Sequence, residues 1–258
     1  MNSASTSRGF GSTLGLIGAL GVKNFRVRFR GARLGPLWVV VQPVIQGSVI
    51  AFVFSRVAPR LTTINYPLFV LSGILPWAMT TRAILAGTTS VLDNAPLVKK
   101  VAMQKAILPL SAMGAAVAAS GIGVLLLIPF SVWVVGPTRL LLLPLAIAVN
   151  LLLVVPAGVL FAALYVRHRD LRFAIESAIV IAFYASPIIY PSGRLGPAMA
   201  DLQRWNPITG VLSLYRAAFA GLPVDWMAVS VSAGFGAVVL AFAVIVFGRR
   251  AGEFADLV

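Results

Sequence analysis

Cysteine is absent from the 258 residues, which excludes disulfides and thiolate metal sites together. Acids are scarce: seven Asp and Glu stand against 21 Lys and Arg. Asp93, Asp170, Glu176, Asp201, Asp225, Glu253 and Asp256 occur singly, in loops and at the ends of apolar runs. That spacing excludes paired carboxylates for acid–base chemistry and a buried relay for protons or sodium. The single histidine, His168, lies between Arg167 and Arg169 with only Asp170 as a neighbouring ligand, so it reads as an ordinary loop histidine rather than a metal site. No phosphate loop of the form G-x-x-x-x-G-K-[ST] occurs. If ATP drives this protein, another polypeptide is expected to bind it. No internal repeat is visible, which argues against a secondary transporter built from inverted halves. The apolar run Leu14 to Leu20 is short and precedes the basic block, the reverse of a cleavable signal.

What the chain has in abundance is apolar side chain. Hydrophobic residues make up 59% and charged residues 11%, more apolar surface than a water-soluble fold of this length can hide. The solvent is therefore lipid, whose core about 30 Å thick takes roughly 20 helical residues to cross. Six spans are predicted, at Leu34 to Val57, Pro67 to Leu92, Ile107 to Val135, Leu140 to Val166, Phe173 to Tyr190 and Trp226 to Gly248. Helices are expected because each backbone amide must find its partner within the segment, and the period-2 alternation of a membrane barrel is missing. Basic residues gather on alternate connections: Arg8, Lys23, Arg26, Arg28, Arg30 and Arg33; then Lys99, Lys100 and Lys105; then Arg167, Arg169 and Arg172; then Arg249 and Arg250. The net charge of +14 thus reports topology, with both termini cytoplasmic, rather than a nucleic-acid partner.

Three connecting segments carry more than a turn requires. Residues 10–33 read as an amphipathic helix, with Lys23, Arg26, Arg30 and Arg33 on one stripe and Leu14, Ile17, Phe25 and Phe29 opposite. Such a helix lies in the interface, each base near an anionic leaflet contributing about 1 kcal/mol; a purely topogenic basic flank is the alternative. Residues 93–103 contain Asp93 or Asn94 as a cap and Pro96 in a first turn, the makings of a short surface helix that a soluble partner could push, or of a plain connector. Residues 191–225 hold two amphipathic pieces, around Leu195 to Trp205 and Ile208 to Phe219, separated by Asn206-Pro207, where proline disfavours helix at the preceding residue. They read as outer re-entrant helices that either gate or cap the bundle.

Inside the spans, Arg82 follows Thr80 and Thr81 near the middle of the second, where a cation costs about 2.5 to 3.5 kcal/mol. It either meets a substrate phosphate on a wet path or sits at a local helix break. Gln42, Gln46 and Asn150 are expected to face protein or water. Trp38, Phe52, Phe54, Trp77, Phe183, Tyr184 and Tyr190 offer flat faces, as interfacial anchors or as a track on which sugar rings stack. Gly114 and Ala118 permit close helix approach, and Pro109, Pro129, Pro144 and Pro156 mark kinks or helix ends.

Taken in order, these residues resemble the membrane subunits of ABC-2-type polysaccharide exporters, the O-antigen and teichoic-acid permeases. Arg28-Phe29-Arg30-Gly31-Ala32-Arg33-Leu34-Gly35-Pro36-Leu37-Trp38 with Gln42-Pro43 is similar to the family's approach to span one. Tyr66 to Trp77, Asn94 to Val101 with Ile107-Leu108-Pro109-Leu110, Arg169-Asp170, Ser186 to Pro191, Asn206-Pro207-Ile208-Thr209 and Tyr215-Arg216 continue the likeness over nearly the whole chain. Met103-Gln104 departs from the family's Phe-Pro, and Ala32 from its Ser or Thr. The resemblance implies one all-α transmembrane domain over 1–258, with the six-helix region at 34–250, forming a homodimer in the bacterial inner membrane. It implies two ATP-binding subunits that hold ATP and Mg, no cofactor in this chain, and a lipid-pyrophosphate-linked glycan of O-antigen, teichoic-acid or galactan type as cargo. Asp93, Asn94, Leu97, Lys99, Lys100 and Val101 would sit in a groove of the ATPase, with Arg167, His168, Arg169 and Asp170 nearby. Gln42, Gln46, Phe183 and Tyr190 would line the path, to which the reading of the residues themselves adds Trp77 and Arg82, and Leu195, Trp205, Asn206, Pro207 and Tyr215 would belong to the outer gate. A small-drug exporter of the same fold, and a channel that needs no partner, are the rival readings.

Overall fold

The computed structural model describes residues 3–29, 31, 33, 35–57, 66–100, 104–192 and 196–254, and among them there is helix and no strand. Helix α1 (Ser3–Arg28) leads through a 3-10 turn (Gly35–Leu37) into α2 (Trp38–Val57). Then come α3 (Tyr66–Asp93), the short α4 (Ala95–Lys100), α5 (Ile107–Leu125), α6 (Leu127–Val135) and α7 (Leu143–Tyr165). The chain finishes with α8 (Leu171–Ala185), α9 (Pro197–Arg204), α10 (Pro207–Ala220) and α11 (Trp226–Arg250). Among the described residues, five helical stretches are long and apolar enough to cross a membrane: Trp38–Val57, Tyr66–Asp93, Ile107–Val135, Thr138–Tyr165 and Trp226–Glu253. They fall where the hydropathy of the sequence sets them.

Prolines decide several boundaries. Pro129 has no N–H for the carbonyl of Leu125, and Leu125 is the last residue of α5. Pro109 and Pro144 sit in the first turns of α5 and α7, where a missing N–H costs nothing. Pro43, Pro76 and Pro156 lie inside helices.

The fifth predicted span, Phe173 to Tyr190, differs from expectation. Helix α8 has 15 residues, about 22 Å at 1.5 Å per residue, which is too short to cross by itself. At Ser186 the backbone turns extended (φ −95°, ψ 149°) ahead of Pro187, as a residue before proline prefers. The segment nonetheless follows α3 along its length. At one end Arg172 and Glu176, paired at 2.8 Å, share a cavity of about 290 Å³ with Thr89 and Asp93. At the other, the Tyr66 hydroxyl donates to the carbonyl of Ile189 at 2.6 Å.

Helix α3 is the axis of the bundle, packed against α2, α5, α7, α8 and α10. Three apolar clusters run along it. At the end we call proximal, Leu20 and Val98 meet Leu108, Val166, Phe247 and Phe254; Ala83, Met113, Ala116 and Val154 fill the middle; the largest cluster, with Phe69, Tyr215 and Phe219, occupies the distal end. Close approach at mid-bundle comes from Gly87 and Gly158, which clasp the Met113 side chain. At Gly114 there is no neighbour within 4 Å of an added Cβ, so the expected close contact at that residue is not made.

Two further expectations need correction. The N-terminal helix does not continue to residue 33 but ends at Arg28, ahead of Gly31 with φ +84°. Only Lys23 and Arg26 of the basic stripe therefore stand on it, both exposed; Arg30 lies outside the described residues and Arg33 follows the helix. Instead of lying free, α1 packs along α5. The second correction concerns α10, predicted to be amphipathic. Ile208 to Leu212 and Leu214 to Phe219 are all buried, because α10 is inserted among α3, α6, α7 and α11 rather than laid on a surface.

Candidate functional site: a polar groove and two flanking ends

Five of the predicted path residues meet at one place. Gln42, Gln46, Trp77, Arg82 and Phe183, together with Thr81 and Tyr184, line an open cavity of about 440 Å³ between α2, α3 and α8. Its aromatic wall is continuous: Trp77 and Phe183 lie 6.0 Å apart and Phe183 meets Tyr184 edge-on at 5.2 Å. Gln42 and Gln46, one helical turn apart on α2, are exposed on the open side. The arrangement offers hydrogen-bonding amides against flat apolar rings, a combination suited to a sugar or another amphiphile. Tyr190 is not part of this wall. Its hydroxyl donates to the Tyr184 carbonyl at 3.0 Å and accepts from Gln203 at 3.1 Å, tying the distal end of α8 to α9.

Arg82 has a local reason for its place in a span. Pro43 leaves the carbonyl of Val39, four residues earlier, without a helical donor. Arg82 Nη1 donates to that carbonyl at 2.7 Å, and Nη2 donates to Gln42 Oε1 at 3.2 Å. The cation thereby repairs a broken turn of α2 and orients the Gln42 amide into the groove. Asn150, also predicted to face protein or water, is buried, and its Oδ1 accepts from Thr80 Oγ1 at 2.9 Å.

At the proximal end, α4 projects two lysines. Lys99 and Lys100 are exposed while Val98 is buried, which anchors the helix in the proximal cluster. The expected side-chain cap is not made: the Asn94 amide donates back to the Ser90 carbonyl at 2.8 Å, and Asp93 accepts from Thr89 at 2.6 Å. Lys105 donates to the Val98 carbonyl at 2.8 Å and so closes the far end of α4. Leu97 is half-buried, Val101 lies outside the described residues, and Arg167, His168, Arg169 and Asp170 are all exposed on the neighbouring loop.

At the distal end, the break read from Asn206-Pro207 is present. Asn206 is extended (φ −75°, ψ 120°), its Oδ1 accepts from the Ile208 amide at 3.1 Å, and its Nδ2 donates to Ser186 Oγ at 2.9 Å. Asn206→Ala removes a helix cap and the tie to Ser186, and should cost about 1 kcal/mol, seen as a melting temperature lower by about 2 to 4 °C. Trp205 is exposed and Tyr215 is fully buried, stacked on Phe219. Leu195 lies outside the described residues. Arg204 bridges Asp201 at 2.9 Å and Asp225 at 3.0 Å, and the hydrogen bond that its guanidinium donates to Asp225 holds its pKa above the ordinary value. Sequence reasoning passed over Arg216, which is buried with its guanidinium 3.7 Å from the centre of the Phe69 ring. A single cation within the otherwise uncharged run Ile208 to Phe219 was the available signal.

A family model described as ABC-2 type transporter matches residues 15–220. An O-antigen export system permease protein RfbA of Myxococcus xanthus is 27% identical over 248 residues, covering 94% of this chain and 95% of its own. One from Klebsiella pneumoniae is 25% identical over 242 residues, covering 91% and 92%. The polysialic acid transport protein KpsM of Escherichia coli is 22% identical over 205 residues, covering 78% and 79%.

Proposed function

The chain belongs to the ABC-2 type transporter family, and from that premise we propose that it is the permease subunit of an ATP-driven polysaccharide exporter. The observation that carries this is the groove between α2, α3 and α8, where amides and aromatic rings converge among helices long enough to cross a membrane. Full-length relatives named for O-antigen export and polysialic acid transport support a polysaccharide as cargo. The cargo is carried on a lipid pyrophosphate, drawn by the basic residues of the proximal end.

The sixth crossing is made by α8, about 22 Å of helix, together with the turn at residues 186–189 that carries the chain on from it. The cavity it shares with Asp93 at one end and its hydrogen bond from Tyr66 at the other support this reading. The proximal end then faces the cytoplasm of the inner membrane, with both termini on that side, as the basic residues there require. The groove is open, and two glutamines on an otherwise apolar helix face are poorly suited to lipid. A second copy covering them closes a conduit, which supports a homodimer.

Two ATPase subunits bind ATP and Mg and press on α4 and the loop at Arg167 to Asp170. Val98 is the buried fulcrum, and Lys99 and Lys100 are the contact. Helices α9 and α10 gate the far end. In proteoliposomes containing the ATPase, Lys99→Glu with Lys100→Glu should lower export about tenfold, equal to 1.4 kcal/mol of coupling, while ATP is still hydrolysed. Depletion of the chain in its host should strand glycan on its lipid carrier. Drug sensitivity with no stranded glycan would instead identify a small-drug exporter, and ion conduction by the chain alone would identify a channel.

A further inference from the structure

The distal end holds a second cavity, of about 510 Å³, walled by Phe69, Arg204, Thr209, Arg216, Asp225 and Trp226 among others. Its charges are unevenly matched. Asp225 is engaged twice, accepting from Arg204 and from the Ala228 amide at the start of α11. Arg204 is satisfied by Asp201 and Asp225. Arg216 is only 6% exposed and, among the described residues, no carboxylate pairs with it. Its Nη2 donates to the Ile188 carbonyl at 2.7 Å, Phe69 lies beneath its plane, and its Nε has no acceptor. The Thr209 hydroxyl, on the same wall and also buried, has no partner either.

A buried cation without a counter-ion is unfavourable unless something anionic reaches it. Gly73 shows that the guanidinium is held rather than stranded: a Cβ there would lie 3.2 Å from Arg216 Nη2 and 3.1 Å from the Ile188 carbonyl, so glycine makes the room. The level of the cavity identifies the anion. Trp226 on its rim and Trp205 nearby are exposed indoles at one end of a transmembrane bundle, beside exposed Met199, Leu202 and Met227. Such residues mark the headgroup layer, where phosphate is the abundant anion. Arginine binds phosphate through several parallel N–H donors, and a volume of this size admits a phosphate with its attached glycerol or sugar.

We propose that the distal cavity binds the phosphate ester of a lipid headgroup, with Arg216 as the anchoring cation and Thr209 as a second donor. The site would be occupied whichever cargo is exported, so a failure of glycan export leaves it untouched.

The test uses the full-length chain, delipidated in detergent and checked for a single gel-filtration peak. Native mass spectrometry and thermal unfolding follow additions of phosphatidylglycerol, farnesyl phosphate or a phosphate-free galactolipid. One phosphorylated lipid should be retained per chain, at least tenfold more tightly than the galactolipid, and Arg216→Gln should abolish that preference. Thr209→Val should raise the melting temperature of the lipid-free protein, because an unpartnered buried hydroxyl is removed. The same change should shrink the rise that phosphorylated lipid produces. Preference for farnesyl phosphate alone would assign the site to a polyprenyl carrier, and equal binding of both to any lipid phosphate. Either result supports the proposal. Should Arg216→Gln fail to fold, Thr209→Val decides alone. Galactolipid bound as tightly as phosphatidylglycerol, or phosphorylated lipid bound by the variants as by the parent, overturns it.

Discussion

Replacing Gly210 by alanine is expected to lower stability by about 3 kcal/mol, the upper part of the range for an overpacked interior. For a chain of this size that corresponds to a melting temperature reduced by about 6 to 12 °C. The reason is geometric. Helix α10 is buried on nearly every side, and at Gly210 it rests directly on α11. A Cβ there would fall on the backbone carbonyl of Ala228 and on the Ser232 hydroxyl, which itself donates to that carbonyl at 2.9 Å. A backbone atom of a helix cannot move aside as a flexible side chain does, so α10 must lift as a whole. That separates it from Phe69 and from the cap at Asn206. Gly234→Ala is the matched control: it also lies in a helix, but no atom lies within 4 Å of the added Cβ. Helix propensity alone then predicts a gain of up to about 1 kcal/mol. Thermal unfolding in detergent compares the two. Equal behaviour would mean that α10 is not seated as described.

Arg82→Met should destabilise by about 2 kcal/mol, the cost of leaving a buried carbonyl without its charged donor. The same substitution should be nearly harmless when Pro43→Ala accompanies it. Alanine at that position restores the N–H that the Val39 carbonyl lacks, so the broken turn of α2 no longer needs Arg82. The double-mutant cycle therefore has a predicted sign, with the two changes compensating. Export read on the same proteins separates structure from transport. Recovery of both stability and export assigns Arg82 to holding α2 and Gln42. A stable double mutant that remains inactive assigns the guanidinium to the cargo's phosphate as well. If the cost of Arg82→Met is the same with and without Pro43→Ala, the carbonyl repair is wrong.

Much of this architecture could be read along the chain because the responsible forces are local or compositional. Hydropathy positions a span whatever its neighbours are, so Trp38–Val57 and Trp226–Glu253 fall where the apolar runs do. The break at Asn206-Pro207 is likewise local: proline constrains the residue before it, and the asparagine side chain caps the helix after it. Five path residues converge because polar and aromatic side chains in apolar helices seek one another's company. Tyr190 stands outside the groove lining, since an aromatic at a span's end says nothing about which way the chain turns after Pro187.

Sequence by itself determined that this is a helical membrane protein of few acids and one-sided charge, with its breaks at proline and glycine. Tertiary structure alone decided that α8 stops at Ala185, that α10 is buried on nearly every side rather than along one face, and which groups Arg82 and Arg216 satisfy. Those outcomes join residues far apart in the chain, Val39 to Arg82 and Phe69 to Arg216. A carbonyl orphaned by proline, or a cation without an acid, chooses its partner by proximity in the folded bundle, and no periodicity or composition encodes that distance.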